Sequence, residues 1–230
     1  MRTTSIVILA IVLFASTNAL TSQDIIRAVN FARKYPLIIR DRIAKKYAGK
    51  TGPASDPTCY TDAINFLSVQ PSLKPLVENI GADLAAYKHS KYIVKNLNQI
   101  SHTGEGGSSV KERILAVGQW IACWGYSENI AATFRQDAAF ISADEFVEMW
   151  IIDEGLQPGR GHRFNMFDVK MTSQGCGVYQ GLMTQEGVSY TGTVVTCVGV
   201  KGYSIGPIGI AQLPEAGLTM AKNGVRFTGV

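Results

Sequence analysis

The chain has 230 residues, 46% of them hydrophobic, with 22 basic against 18 acidic side chains and a formal net charge of +4. That length supplies one sizeable domain with its own core and does not require two. The mild positive charge carries no basic run interleaved with aromatics, which argues against a nucleic-acid partner; the densest basic stretch, RDRIAKKYAGK at 40–50, reads as a solvated helix face.

Residues 1–19 have the layout of a secretory signal: Arg2, an apolar run from Ile6 to Phe14, then small residues from Ala15 to Ala19. The run is too short to span a bilayer, and no later run approaches a transmembrane segment, so the expectation is a secreted, extracellular protein cleaved just after Ala19. A helical pattern covers Ser22 to about Tyr47, with a break at Pro36. Residues 49–58, GKTGPASDPT, form a loop; a short helix is expected at Cys59–Val69 and a longer one from about Leu76 to Leu97. In the longer helix Ala82, Ala86, His89 and Ile93 share one apolar face, so His89 reads as a satisfied core histidine. Residues 101–109, SHTGEGGSS, read as a loop around His102, followed by helical character at Val110–Val117 and an ambiguous aromatic stretch, GQWIACWGYSENIAATF. Ser142 and Glu145 form a capping box that opens a helix running to about Asp153. GRGHRFN, 159–165, reads as a loop, residues 176–185 and 188–200 as strands, and residues 201–230 as an extended C-terminal tail. Helices in front, a hairpin behind and no β-α-β alternation give an α+β or three-layer domain over residues 20–200.

Four cysteines in an exported chain imply two disulfides. With Glu186-Gly187 as a two-residue turn, opposite positions in the hairpin sum to 373, which sets Cys176 against Cys197. Elimination then pairs Cys59 with Cys123.

The candidate chemistry lies in His102, His162 and a few carboxylates. Glu128 sits in YSENI. Asp153 follows Trp150 by roughly 300° around the helix and Glu154 by about 400°, so spacing does not choose between them. Two imidazoles and two carboxylates can hold a divalent cation such as zinc or magnesium, perform acid–base work, or form a hydrogen-bonded network that braces loops. GxSxG, P-loop and CxxC signatures are missing from the sequence.

Taken in order, VNFARKYP, CYTDAINFLSVQPSLKPL, LAAYKHS, SHTGEGGSSVKERI, GYSENIAA and WIIDEGLQPGRGHRFNMFD, with the paired strands, resemble the CAP superfamily of cysteine-rich secretory proteins, antigen 5 and pathogenesis-related proteins, which share the SCP domain. The resemblance runs from about Val29 to Val200. It implies an α-β-α sandwich around a small antiparallel sheet, and a cavity holding two histidines and two acids. Carried onto this chain these are His102, Glu128, Asp153 and His162, so the resemblance selects Asp153 over Glu154. Three positions depart from the family pattern: Ser127 replaces the glycine before Glu128, Asp153 replaces a glutamate, and Gly106 stands where aspartate is common.

The function the resemblance implies is that of a non-enzymatic extracellular binding or signalling protein. Its cleft would take a divalent metal, a sterol or fatty acid would bind elsewhere on the domain, and an extracellular protein partner fits the same reading. Two alternatives are a metal-dependent, peptidase-like hydrolase with Glu128 and His102 as catalytic groups, and an interaction module whose tetrad is a vestigial network.

Overall fold

The first two helices, α1 (Ser22–Lys34) and α2 (Pro36–Lys46), form where the periodicity predicts them and divide at Tyr35, because Pro36 occupies the first turn of α2. A capping box between Thr21 and Asp24 starts α1. The structure, a computed structural model, describes residues 19–97, 99–117, 125–135, 141–155, 159–185 and 187–201. The expected signal segment up to residue 18 and the expected tail beyond residue 201 lie outside them.

Helix α3 (Cys59–Val69) matches its expected bounds. The long helix expected from Leu76 does not begin there. Val77–Glu78 form a short strand, β1, and α4 (Ile80–Tyr92) starts only after Asn79, whose side chain caps it by accepting from the Ala82 N–H. A π-helical turn at Ile93–Leu97 continues it. Next come α5 (Val110–Ala116), whose capping box joins Ser109 and Glu112, and the strand β2 (Gly125–Arg135), which resolves the ambiguous aromatic stretch as far as it is described. Helix α6 (Ala143–Ile152) carries the expected Ser142–Glu145 capping box. GRGHRFN is not a loop: Gly161–Met166 form a short helix, α7. Strands β3 (Met171–Gln185) and β4 (Val188–Lys201) complete the chain.

The sheet order is β1-β3-β4-β2. The long strands are antiparallel, as expected, but β1 pairs with β3 in parallel, so the sheet is mixed. In the β3–β4 hairpin Gln185 opposes Val188, Gly187 takes the positive φ of 79° that the turn requires, and Cys176 opposes Cys197, with which it forms a disulfide. The expected partner of Cys59, Cys123, lies outside the described residues; Cys59 itself is buried and forms no disulfide among the described residues.

Alternate residues of the sheet enter two layers. Ala131, Cys176, Val178, Val195 and Cys197 join the core beneath α1, α3 and α6, with Phe146 and Trp150. Ile130, Tyr179, Val194 and Val198 face α4, α5 and the π-helical turn. Helix α4 lies so close to β3 that a Cβ on Gly175 would sit 2.2 Å from the Asp83 nitrogen, and one on Gly177 would sit 2.0 Å from the Tyr87 nitrogen. Only glycine allows that approach. The result is an α-β-α sandwich with β2 at one edge, and the candidate site lies along that edge.

Candidate functional site

Neighbouring residues of β2 hold the two histidine segments. Glu128 points into the α4–α5 layer, where its Oε1 accepts from His102 Nδ1 at 2.9 Å and its Oε2 accepts from Arg113 of α5. Asn129 points the opposite way: its Nδ2 donates to the His162 carbonyl at 2.9 Å, and its Oδ1 accepts from Asn165 Nδ2 at 2.9 Å. Successive strand residues face opposite sides of a sheet. His102 and His162 therefore come from opposite layers and are tethered at the same point on the edge of β2.

The His102 loop is braced from behind. Arg113 donates to the carbonyls of His102 and Ser108, and His89 Nε2 donates to the Ser101 carbonyl at 2.8 Å. A side chain at Gly104 would collide with Arg113, with its Cβ 2.8 Å from Nη1. His89 is the core histidine expected from its helix face, with a side chain 0% exposed, and its Nε2 lies 3.9 Å from Glu128 Oε1. Burial pushes its pKa down, opposed by the Glu128 charge. Its Nδ1 is buried without a partner among the described residues, as suits a neutral ring.

The His162 segment is held by the junction of α6 and α7. Asp153 caps α6 in the left-handed region, at φ 54°, a conformation that aspartate tolerates better than most residues. Its Oδ1 accepts from His162 Nδ1 at 2.8 Å and its Oδ2 from the His162 backbone N–H at 2.9 Å. The glycines of GRGHRFN are not the residues that turn the chain. The positive φ, 41°, falls on Arg160, while neither Gly159 nor Gly161 needs one. What holds Arg160 there is a buried ion cluster: its guanidinium donates to both oxygens of Asp56, to Asp62 and to the Asp153 carbonyl. The bonds to Asp56 raise its pKa further. Arg163 donates to the Ile151 and Ile152 carbonyls, satisfying orphan groups at the end of α6, and stacks over Phe66 with 5.5 Å between guanidinium carbon and ring centroid. Arg33 secures the far end of α7 by donating to the Met166 carbonyl.

Beside the Asp153–His162 pair runs a groove of about 460 Å³, lined by Ile130, Ala131, Ala132, Trp150, Asp153 and His162, with further glutamates on its wall; His102 and Glu128 do not line it. Glu154, the alternative to Asp153, lines this groove but is exposed. Among the described residues no group of three or more histidine, cysteine, aspartate or glutamate side chains is arranged to hold a metal ion. Sequence reasoning missed Asn129, Arg113 and Asp56. Asn129 had a weak signal as the residue after Glu128 on a strand; Arg113 and Asp56 had none, since each reaches its partner only through the folded chain.

An α-β-α sandwich with histidine–carboxylate pairs along one sheet edge defines the class. The model of the cysteine-rich secretory protein family, CAP, matches residues 62–198, more than half of the chain, and the chain belongs to that family. Among solved structures, an extracellular protein containing a SCP domain from Bacillus anthracis str. Ames is similar at 19% identity with a TM-score of 0.38, over 56% of this chain and 35% of that one. The match thus takes in about a third of that protein's length. No curated protein matches the chain.

Proposed function

We propose that this CAP protein is exported and acts as an extracellular binding protein, whose cleft takes a divalent cation through His102 and His162 and does not catalyse a reaction. Export is supported by the N-terminal run and by the Cys176–Cys197 disulfide, a bond that persists in oxidising compartments. The observation that carries the metal reading is the matched state of the two imidazoles. Each donates its Nδ1 hydrogen to a buried carboxylate, Glu128 or Asp153, and so keeps Nε2 as a ligand nitrogen. A carboxylate on the far ring nitrogen fixes the tautomer and raises the basicity of a ligating histidine.

The donor set favours zinc over magnesium. Imidazole nitrogen suits zinc, whereas magnesium needs oxygen donors. Glu128 spends its oxygens on His102 and Arg113, and Asp153 spends its own on the His162 ring and backbone, so neither carboxylate is a free ligand. Bound there, zinc would supply a positive charge for an oxygen of the ligand. The same saturation disfavours the hydrolase alternative, because a general base needs an oxygen aimed at water.

Titration of the purified protein with zinc tests this reading, together with peptide and ester cleavage assays on the zinc-loaded sample. Zinc uptake is expected to be lost in His102→Ala and His162→Ala, with no cleavage in any sample. Absence of uptake by the wild type contradicts the metal reading, and zinc-dependent cleavage abolished by Glu128→Gln contradicts the non-enzymatic one. Lipid extraction of the same preparation tests whether a sterol or fatty acid is carried elsewhere on the domain.

A further inference from the structure

Among the described residues strand β2 ends the sheet and pairs with β4 alone, from Gly125 opposite Lys201 to Arg135 opposite Thr191. In such a pair roughly half of the backbone N–H and C=O groups point away from the partner, toward the open edge. Ile130, Ala131 and Ala132 all line the 460 Å³ groove. Consecutive residues face opposite sides of a sheet, and these two sides are covered by different helical layers, so a groove touched by all three lies over the edge itself. The strand is buried from Glu128 to Ala131 and emerges from Ala132 onward, with Phe134 41% exposed.

Two features say what this edge suits. Proteins usually guard an edge with charges or proline; in β2 the charges, Glu128 and Arg135, stand only at the two ends of the uncharged run Asn129-Ile-Ala-Ala-Thr-Phe134. The groove beside it is apolar, with Trp150 and Ile152, and carries net negative charge: Glu145, Glu148, Asp153 and Glu154 line it against one lysine among the described residues, Lys46, which pairs with Glu148, while Glu145 bonds Ser142 and Asp153 bonds the neutral donors of His162, so both keep their charge. An occupant complementary to both is extended, carries free backbone hydrogen-bonding groups, and alternates basic with apolar side chains.

We infer that the edge of β2 from Ala132 to Phe134 takes an extended basic segment of a partner polypeptide as an added strand, with its cationic side chains along the glutamate wall. Main-chain bonds to the edge supply affinity and the side-chain groove supplies selectivity. This inference rests on the reading of the cleft as a binding site and does not need the metal.

The test is fluorescence anisotropy with the full chain and three short labelled peptides: alternating Lys-Val, alternating Glu-Val, and Lys-Val methylated on alternate backbone nitrogens. The Lys-Val peptide is expected to bind, with affinity falling as salt rises, and each of the other two to bind at least about tenfold more weakly. Equal binding of the acidic or the methylated peptide overturns the inference, as does no binding of Lys-Val. A dimer in solution that the Lys-Val peptide does not dissociate also overturns it, by giving the edge to a second copy. Zinc titration of the same sample separates the two readings: peptide failure with zinc uptake intact sinks only the strand-addition inference, and the reverse result sinks only the metal reading.

Discussion

The two histidines tethered to β2 are held in different ways. His102 has a side chain 60% exposed and is aligned by another side chain, Glu128, which in turn is gripped by Arg113. His162 is 17% exposed and is aligned by a helix junction, where Asp153 caps α6 and binds both the ring and the backbone of the residue it orients. The ring of His102 is thus aligned by a side chain from another element, while its loop is braced by Arg113 and His89. The ring of His162 is aligned by the residue that joins two helices, so its backbone and its ring are placed together. The His102 half of the site is therefore the more exposed, and the His162 half is the one built into a helix junction.

The largest effect is expected at the helix junction. Arg160→Leu leaves Asp56, 1% exposed, as a buried carboxylate without its guanidinium. Breaking such a pair costs about 3–5 kcal/mol, read as a lower urea midpoint. A loss within experimental error would show that the junction is not held by this cluster. Arg113→Met should cost less, about 2 kcal/mol, because Glu128 keeps its bond to His102. Adding Glu128→Gln to that variant should restore most of the loss, and a double-mutant cycle with no coupling would refute the grip of Arg113 on Glu128. Asp153→Asn tests orientation apart from stability. Asparagine accepts the left-handed conformation, so stability should stay within about 1 kcal/mol while zinc affinity drops about 10- to 100-fold.

The smallest effect is pH dependence behind the His102 loop. Burial lowers the His89 pKa below its usual 6.5, so the unfolded chain takes the proton more readily. The contribution of His89 is fully present above pH 6.5 and is lost as pH falls through the folded value. Asp83 acts in the opposite sense. Its buried carboxyl is pushed well up by desolvation, despite hydrogen bonds from Ser22 and the Cys176 N–H, so its contribution is lost as pH rises through its folded value. Urea midpoints of wild type and His89→Gln should therefore diverge least at acid pH and most near neutrality; parallel curves would exclude His89.

What could be read in the sequence was mainly local. The Ser142–Glu145 capping box, the break at Pro36 and the hairpin that sets Cys176 against Cys197 depend on residues a few positions apart or on one turn, and the structure has all three. The start of α4 was misplaced because its capping residue, Asn79, follows a parallel strand whose only support is distant β3. The helix in GRGHRFN was missed because its entry conformation is imposed on Arg160 by Asp56, 104 residues away. No periodicity reports a contact of that kind. The set His102, Glu128, Asp153 and His162 came from family resemblance; what brings the two histidine segments to one place, adjacent β2 residues Glu128 and Asn129 facing opposite layers, became visible only once the Gly125–Arg135 segment was seen as an edge strand.

The central claim is that the two differently held histidines serve one site. Zinc stoichiometry, measured by calorimetric titration of the wild type and of each single histidine variant, tests it most directly. The account predicts one ion per chain, lost on replacement of either His102 or His162 by alanine. Two ions per chain, or a His102→Ala variant that binds zinc as the wild type does, would contradict it.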